Sequence, residues 1–591
     1  MCGIIAIAGK ETGKTHGHIA SIMTRALSSR GPDDTGTFSF PNCVLGHTRL
    51  SIIDLGGGHQ PMKDPQTGNA IVFNGEIFNY RELKEELERK GHRFHSSSDT
   101  EVILKAYAEF GESCVDRLDG QFAFALWNEK SDSLFLARDR FGEKPLYYAS
   151  IEDMLIVASE IKAIQASGLV EMSLDMTSLD NYLSLLFIPP WRSAYKSIKP
   201  LPPAHRARWK DGKLEIERYW KLKRQPLSVT ESEAVEITRH LLSESVKSRL
   251  VADVEVGTFL SGGIDSSIIT CLSQKAISRT NKRIKAFSAK FDGFIDETVQ
   301  AKETAAVCGT DHHIRNVEAD MLGAFDETIR YFDEPLADSS CIPVHLISQF
   351  AREDVKVALS GDGGDELFYG YGHYRFPWNL PRSQKIFQSL FSNPFAYYKN
   401  YIQYFKPHER EKLWKDPSFM ERDPIDAHID FSEAKTPLEK INLVDMYMIL
   451  PGDMLAKVDR ASMMNSLEIR SPFLNHKLAE FAYNLPASYK TNRHRGKLIL
   501  EKAFSDILPL GLFARKKQGF NAPVREWLKR AEWKKRVYEA VSDDSPLAEL
   551  LDVSYAKTFV DRFYGGEEGV HQKIWIFLVL SAWLKRLSLK K

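Results

Sequence analysis

Two stretches of this chain combine glycine, serine and acidic residues in a way that suits a phosphate chain. The first is Leu260-Ser261-Gly262-Gly263-Ile264-Asp265-Ser266-Ser267. Val254, Val256, Phe259 and Leu260 read as a buried strand before it, and Ile268, Ile269, Leu272 and Ala276 recur at helical spacing after it. A strand, a glycine turn and a helix start aim backbone N–H groups and hydroxyls at one point, where an anion is held. The loop lacks the lysine and the longer gap of a Walker A motif. Asp265 would repel a bare phosphate, so the set implies a bridging Mg²⁺. The plainer alternative is a glycine-rich turn capped by serine. The second stretch, Ser360-Gly361-Asp362-Gly363-Gly364-Asp365-Glu366-Leu367-Phe368, repeats the order of strand, glycine turn, acids and helix. Two such loops at one sheet edge suit Mg²⁺ held against pyrophosphate oxygens by Asp265 and Asp365. Two solvated acidic turns are the plainer reading.

A third candidate lies at the start, Met1-Cys2-Gly3. Methionine removal would leave Cys2 with a thiol and a free α-amine. That amine, with a reference pKa of ~7.7–8.0, can take the thiol proton near neutral pH. N-terminal nucleophiles use their own amine as base in this way. A small cysteine buried in a strand is the alternative. Arg30-Gly31-Pro32-Asp33, His47 to Asp54, Asn74-Gly75-Glu76 and Ser98-Asp99-Thr100-Glu101 all fall in turns or at strand ends. Each has a plain reading. Arg49 could be a surface strand charge, Asn74-Gly75 a hairpin turn, and Ser98 with Glu101 a capping box beside Asp99.

The elements that position these residues fall into two patterns. Early strands are expected at Gly3–Ala8, Val44–His47, Ala70–Phe73, Phe122–Trp127 and Ser133–Arg138, with helices at Tyr80–Lys90 and Thr100–Phe110. Runs of strands with few helices argue for stacked antiparallel sheets. A proline-rich exit, Ile198 to Pro203, and a hairpin around Asp211-Gly212 precede a boundary between Pro203 and Arg224. Domains are therefore expected at 1–210 and 225–591. Beyond Arg224, helix and short buried strand alternate: Glu231–Leu250, Val254–Leu260, Ile284–Phe291, Glu297–Cys308, His312–Val317, Met321–Phe332, Pro343–Arg352 and Val355–Leu359. That alternation predicts a parallel sheet with right-handed crossovers. Ligands sit beyond the carboxyl ends of such strands, so the loops after Leu260, Ala289 and Leu359 should share one crevice. The apolar run Ile574–Leu584 reads as a core helix, too short to cross a bilayer, which needs ~20 residues.

With 591 residues the chain exceeds one hydrophobic core, and its 79 basic and 79 acidic residues give no bulk charge for nucleic acid or a membrane surface. Its 43% hydrophobic and 27% charged content is that of a soluble globular protein. The six scattered cysteines lack any C-x-x-C pair, so neither a disulfide framework nor a zinc site is expected, and a reducing compartment fits. The start has no basic n-region, so it is not read as a signal peptide, and a cytoplasmic location is expected.

On these residues the N-terminal part resembles a class II glutamine amidotransferase domain, whose hallmark is Met-Cys-Gly. The resemblance implies an α+β Ntn-type αββα sandwich with Cys2 as nucleophile. It further implies that Arg49, in Arg49-Leu50-Ser51-Ile52-Ile53, holds the glutamine carboxylate by a bidentate fork. Asp99 and the Glu76 region would hold its ammonium, and Asn74 with the Gly75 N–H would form the oxyanion hole. The second part looks like the ATP-pyrophosphatase domain of asparagine synthetases, an α/β fold with a helical C-terminal part. Asp333-Glu334-Pro335, Asp338-Ser339-Ser340, Met454 to Met463 and Lys516-Lys517-Gln518-Gly519-Phe520 also match it. Because both sites are present, the family implied is the glutamine-hydrolysing, B-type synthetase. Leu260, Ala289, Ser360 and Gly361 would then line adenine and ribose, with Asp362 beside them. Ser261, Gly262, Gly263, Asp265, Ser266 and Ser267 would bind the pyrophosphate, and Asp265 and Asp365 the Mg²⁺. Lys497 would stabilise charge at the α-phosphate; by itself it reads equally as a snorkelling helix lysine.

The implied reaction amidates aspartate through β-aspartyl-AMP, with ammonia passed from glutamine across a mostly apolar channel between the domains. Glutamine, aspartate and ATP would be the small-molecule partners, and a homodimer is a candidate assembly. The chain departs from the family at Leu467-Glu468-Ile469-Arg470-Ser471-Pro472, at Tyr369 where glycine is common, and at Ala204. The first two are expected near the acceptor pocket. They keep open another carboxylate acceptor, a sugar uronate or a cell-wall peptide. A catalytically idle regulatory protein is a further alternative.

Overall fold

The computed structural model describes residues 1–291, 296–317, 320–379, 393–514 and 522–588. The stretch Lys516–Phe520, singled out above, lies outside them.

Gly3–Ala8 is apolar at every position and buried along its whole length, which places it inside a sheet. It pairs antiparallel with Cys43–Arg49 and Met154–Ala158 in the middle of a six-stranded sheet. A second six-stranded sheet runs from the edge hairpin His205–Lys210 and Lys213–Arg218 through Ser133–Arg138 and Gly120–Asn128 to Ala70–Ile77 and Met62–Lys63. Ile4, Ala6 and Leu45 of the first sheet meet Val72, Ala123, Ala125 and Leu136 of the second in one core. Helices cover the outer faces. Gly17–Arg25 and Ile161–Ala166 lie over the first sheet, while Tyr80–Arg89 and Asp99–Phe110 lie over the second. The stacked antiparallel sheets are those the strand-rich pattern predicts, and with their helices they make the αββα sandwich that the resemblance implies.

The second architecture is a five-stranded sheet in the order Asp311–Val317, Lys285–Phe291, Val256–Phe259, Val357–Leu359, Glu468–Arg470, parallel throughout. The last strand is only three residues long and is set among helices, so no period marks it in the sequence. Helix Glu231–Arg249 starts on a capping box in which Thr230 and Glu233 satisfy each other's backbone donors. The C-terminal part is helical. Its helix His571–Ser588 buries Trp575 and Trp583 as core, and no described helix is long and apolar enough to cross a membrane.

One expectation is corrected here. Cys271 and Cys308, 37 positions apart in the chain, form a disulfide with Cα atoms 5.0 Å apart. They lie on the neighbouring helices Ile264–Ala276 and Thr298–Cys308, so only the packing of those helices joins two cysteines that share no local motif.

Candidate active site

Cys2 stands at the head of a central strand. Its N–H donates to Asn74 Oδ1 at 2.9 Å, and Arg30 Nε donates to its carbonyl at 3.0 Å. Asn74 is fully buried in strand Ala70–Ile77, and its Nδ2 has no partner among the described residues. At Gly75, φ is +147°, and a Cβ would meet the Gln121 carbonyl at 2.0 Å. An orphan amide donor beside a backbone that only glycine fits is preorganised to receive a developing oxyanion. The hairpin reading of Asn74-Gly75 fails, because the strand runs straight through both and pairs with Gly120–Asn128.

The Cys2 side chain is 8% exposed, and burial pushes its thiol up against the pull of the terminal ammonium. Met1 is buried over it and sets its ammonium 3.0 Å from Glu468 Oε2. The Arg49 guanidinium donates to the carbonyls of Ile53 at 3.0 Å, Asp54 at 2.7 Å and Leu55 at 3.2 Å. These N–H donors thus brace the turn that carries Leu50, Ser51, Ile52 and Ile53. Leu50 and Ile52 pack against Val357 of the parallel sheet, and the Ser51 N–H donates to Asp33.

Glu76 and Asp99 are both buried. Burial drives the Glu76 carboxyl up, opposed by Arg470, whose Nη2 is 3.2 Å from Glu76 Oε1. Asp99 Oδ2 accepts from the Ile77 N–H at 3.0 Å, and burial pushes its carboxyl up to about 6. Ser98 does cap the following helix. Glu101, however, turns to the N–H groups of His95 and Ser96, so the capping box is only half formed and Asp99 is left facing the strand.

The loop after Val256–Phe259 is closed by hydroxyls: Ser261 Oγ and Ser266 Oγ are 3.0 Å apart, and Gly263 N–H donates to Ser261 Oγ at 3.3 Å. Ser267 faces away, bonded to Thr304 at 3.1 Å and fully buried. Leu260 packs with Ala286, Ala301 and Ala305, so only its backbone borders the crevice. Ala289 lies near the carboxyl end of the next strand, beside Ser288, whose hydroxyl meets the Leu260 carbonyl and His312. Ser360 Oγ donates to Asp362 Oδ2 at 2.6 Å. A Cβ on Gly361 would lie 2.7 Å from the Asp265 Cβ, so the two acidic loops touch.

Lys497, with φ +58°, carries its Nζ between Asp265 and Asp365 Oδ1, the latter at 2.6 Å. Burial alone would lower its ammonium; the two carboxylates outweigh this and hold it charged. Gly370 permits the arrangement, since a Cβ there would fall 1.8 Å from Asp365 Oδ1 and 2.3 Å from Lys497 Cε. The snorkelling alternative for Lys497 therefore fails. Two carboxylates at the mouth of a glycine loop fit Mg²⁺, which takes one or two protein carboxylates and completes its shell with phosphate and water.

Sequence reasoning missed how the motifs meet. Asp459, within Met454–Met463, grips Arg30 at 2.8 and 3.1 Å, and Lys457 two residues earlier binds Asp338 at 2.6 Å. One helix, Leu455–Met463, thus reaches the Cys2 neighbourhood and the acidic-loop side. A cavity of about 50 Å³ between the domains is lined by Arg138, Glu143, Glu160, Lys162, Asp333 and Arg460 among others. Its wall also carries Ile188, Pro189, Phe332 and Leu455, so it is mixed in character, and it includes neither Cys2 nor the glycine loops. Tyr369 is also corrected. Its backbone borders the Asp365 loop, but its ring turns inward and stacks on Tyr374 at 4.2 Å.

A near-terminal cysteine on stacked antiparallel sheets and acidic glycine loops on a parallel sheet give the chain two candidate sites, one on each architecture. Residues 1–220 match the family model of a glutamine amidotransferase domain, and residues 238–585 match that of asparagine synthase. Asparagine synthetase [glutamine-hydrolyzing] 1 of Bacillus subtilis is 32% identical over 619 residues, covering 99% of this chain and 96% of that one. A putative asparagine synthetase [glutamine-hydrolyzing] of Mycobacterium tuberculosis is 33% identical over 645 residues, covering 99% and 97%. Amidase chyE of Penicillium rubens is 27% identical over 606 residues, covering 89% of each. The chain belongs to the asparagine synthase family and is a glutamine-hydrolysing carbon–nitrogen ligase of the asparagine synthetase type, driven by ATP.

Proposed function

We propose that this enzyme amidates the β-carboxylate of aspartate, using glutamine as nitrogen donor and β-aspartyl-AMP as the activated intermediate. The two-site scheme is supported by the pairing of Cys2 with an orphan Asn74 amide on one domain, and of Asp265, Asp365 and Lys497 on the other, and the choice of aspartate by the likeness to asparagine synthetases. Met1 is removed in the mature enzyme, which moves the terminal amine to Cys2. The buried thiol is a poor acid, so it needs this adjacent base. The Cys2 sulfur attacks the glutamine carboxamide carbon, and Asn74 Nδ2 with the Gly75 N–H receives the oxyanion. The thiol proton passes by way of the Cys2 amine to the departing nitrogen. Ammonia leaves, and water cleaves the glutamyl thioester.

At the other site the carboxylate of the acceptor attacks the α-phosphorus of ATP and pyrophosphate departs. Ammonia then attacks the acyl carbon and AMP departs, giving the amide. Asp265 and Asp365 would hold Mg²⁺, which supplies charge neutralisation on the phosphates when bound. Lys497, charged and fixed between those carboxylates, is placed to stabilise negative charge as the adenylate forms and breaks. We propose the cytoplasm as the site of the reaction.

The experiment is an acceptor screen. Purified protein with glutamine and Mg-ATP should release pyrophosphate only when aspartate is added, and intact mass should show the loss of Met1. Release that follows a uronate or a cell-wall peptide instead would replace aspartate as acceptor. Cys2→Ala should abolish glutamine-driven turnover; equal ammonia release from wild type and variant would end the role of Cys2.

A further inference from the structure

The buried surroundings of Cys2 are not built by the amidotransferase sheets alone. Strand Glu468–Arg470 closes the edge of the parallel sheet, and its two charged side chains cross the interface without exposed surface. Arg470 is fixed on several sides. Nε donates to Glu468 Oε1 at 2.7 Å, and Nη1 donates to the carbonyls of Arg249 and Val251 at 2.8 and 2.7 Å. These bonds set the guanidinium plane and bring Nη2 to 3.2 Å from Glu76 Oε1. The other Glu76 oxygen is buried with no hydrogen-bond donor among the described residues. Glu468 spends its second oxygen on the Met1 ammonium at 3.0 Å, and Gln121 Nε2 lies 3.4 Å from its first.

We propose that Arg470 and Glu468 are positioning residues of the glutaminase, supplied by the synthetase domain: Arg470 aims the Glu76 carboxylate at the α-ammonium of glutamine, and Glu468 anchors the terminal amine beside Cys2. This rests on the glutamine site proposed above. Three carboxylates, Glu76, Asp99 and Glu468, are buried together, and a carboxylate buried without a cation takes up a proton and cannot hold an ammonium group. Arg470 faces all three and, pinned by two backbone carbonyls, cannot swing away. With Met1 in place, its terminal ammonium and then Arg470 outweigh the burial that opposes the Glu468 charge and hold this carboxylate ionised; after Met1 is removed, Arg470 remains as its bonded partner. Glu468 is also among the charges acting on the Cys2 thiol. In the processed chain the amine is the Cys2 nitrogen, which donates to Asn74 Oδ1 here, and Glu468 stays among the charges that act on Cys2.

The test uses the full-length protein and three variants, Arg470→Met, Arg470→Lys and Glu468→Gln, each assayed for glutaminase KM and kcat. Ammonia-driven, ATP-dependent pyrophosphate release is measured on every preparation as the reporter of an intact second site. Arg470→Met should raise the glutamine KM about tenfold or more with kcat changed less than about threefold, the signature of lost substrate binding. Arg470→Lys should recover much of that loss, and Glu468→Gln should lower kcat more than it raises KM. The proposal is overturned if all three variants keep KM and kcat within about twofold of wild type. It is equally overturned if glutaminase and ammonia-driven activity fall in step in each, which marks a structural role only. A wild type without glutaminase, or one that survives Cys2→Ala, strikes at the parent reading instead and is seen before any Arg470 variant is assayed.

Discussion

Among single residues, Asp99 carries the sharpest consequence. Burial raises its carboxyl to about 6, against the opposing N–H bond from Ile77 and the Arg470 charge, while Glu468 adds to the rise. A raised carboxyl pKa means that the protonated form persists to higher pH than for a free aspartate. Holding a glutamine ammonium requires the ionised form. Glutaminase kcat/KM should therefore fall as pH drops through about 6, approaching tenfold per unit on the acid side. A profile that stays level from about pH 7 to 5 would show that Asp99 does not titrate in the binding step. Cys2 was legible as a candidate from type and position, whereas Asn74 was one only through the family resemblance, since by itself Asn74-Gly75 reads as a turn. The orphan state of Asn74 Nδ2 was not legible, because it depends on what packs against the strand.

Among elements, the turn after the second glycine loop separates local from tertiary signals. Tyr369 sits at φ +56°, is 2% exposed, stacks on Tyr374 and lies under the Lys490 ammonium at 3.8 Å. Lys490 is itself fully buried, and burial pushes it down to about 7 while its Nζ donates to the Ala482 carbonyl. Replacing Tyr369 by glycine would relieve ~1–2 kcal/mol of left-handed strain. It would also remove a large buried ring, which costs ~3–5 kcal/mol. Loss of the ring outweighs the relief of strain. Tyr369→Gly should lower stability by roughly 2–3 kcal/mol, read as a lower melting temperature, with the acceptor preference unchanged. A higher melting temperature, or a switch of acceptor, would contradict the inward placement of the ring.

For the whole molecule, the interface is held by buried charge. Arg30, fully buried, is shared between Asp459 and Glu160, and it donates to the Cys2 carbonyl. Asp459→Ala would leave Arg30 with Glu160 alone, and Glu160 already serves Lys162 at 2.9 Å. Removing one partner of a buried pair costs ~3–5 kcal/mol, most of it the penalty on the stranded charge. The variant should melt earlier and lose coupling, so that more glutamate forms per amide product while ammonia still drives synthesis. An unchanged glutamate-to-product ratio would show that the Arg30–Asp459 pair plays no part in joining the sites.

The sequence by itself determined the two architectures and most of their strands, because apolar alternation, glycine turns and helical spacing are local. Gly3–Ala8 and Ser133–Arg138 match residue for residue, and the two acidic loops fall where strands end. The catalytic candidates were legible for the same reason, since each is a short motif. Tertiary structure alone decided what crosses between domains: Glu468 on the Met1 ammonium, Arg470 on Glu76, and Asp459 on Arg30. It alone also set Cys271 beside Cys308. Those pairings join residues tens to hundreds of positions apart, and a three-residue strand among helices gives no periodic signal. Charge and packing fixed them only once the sheets were side by side.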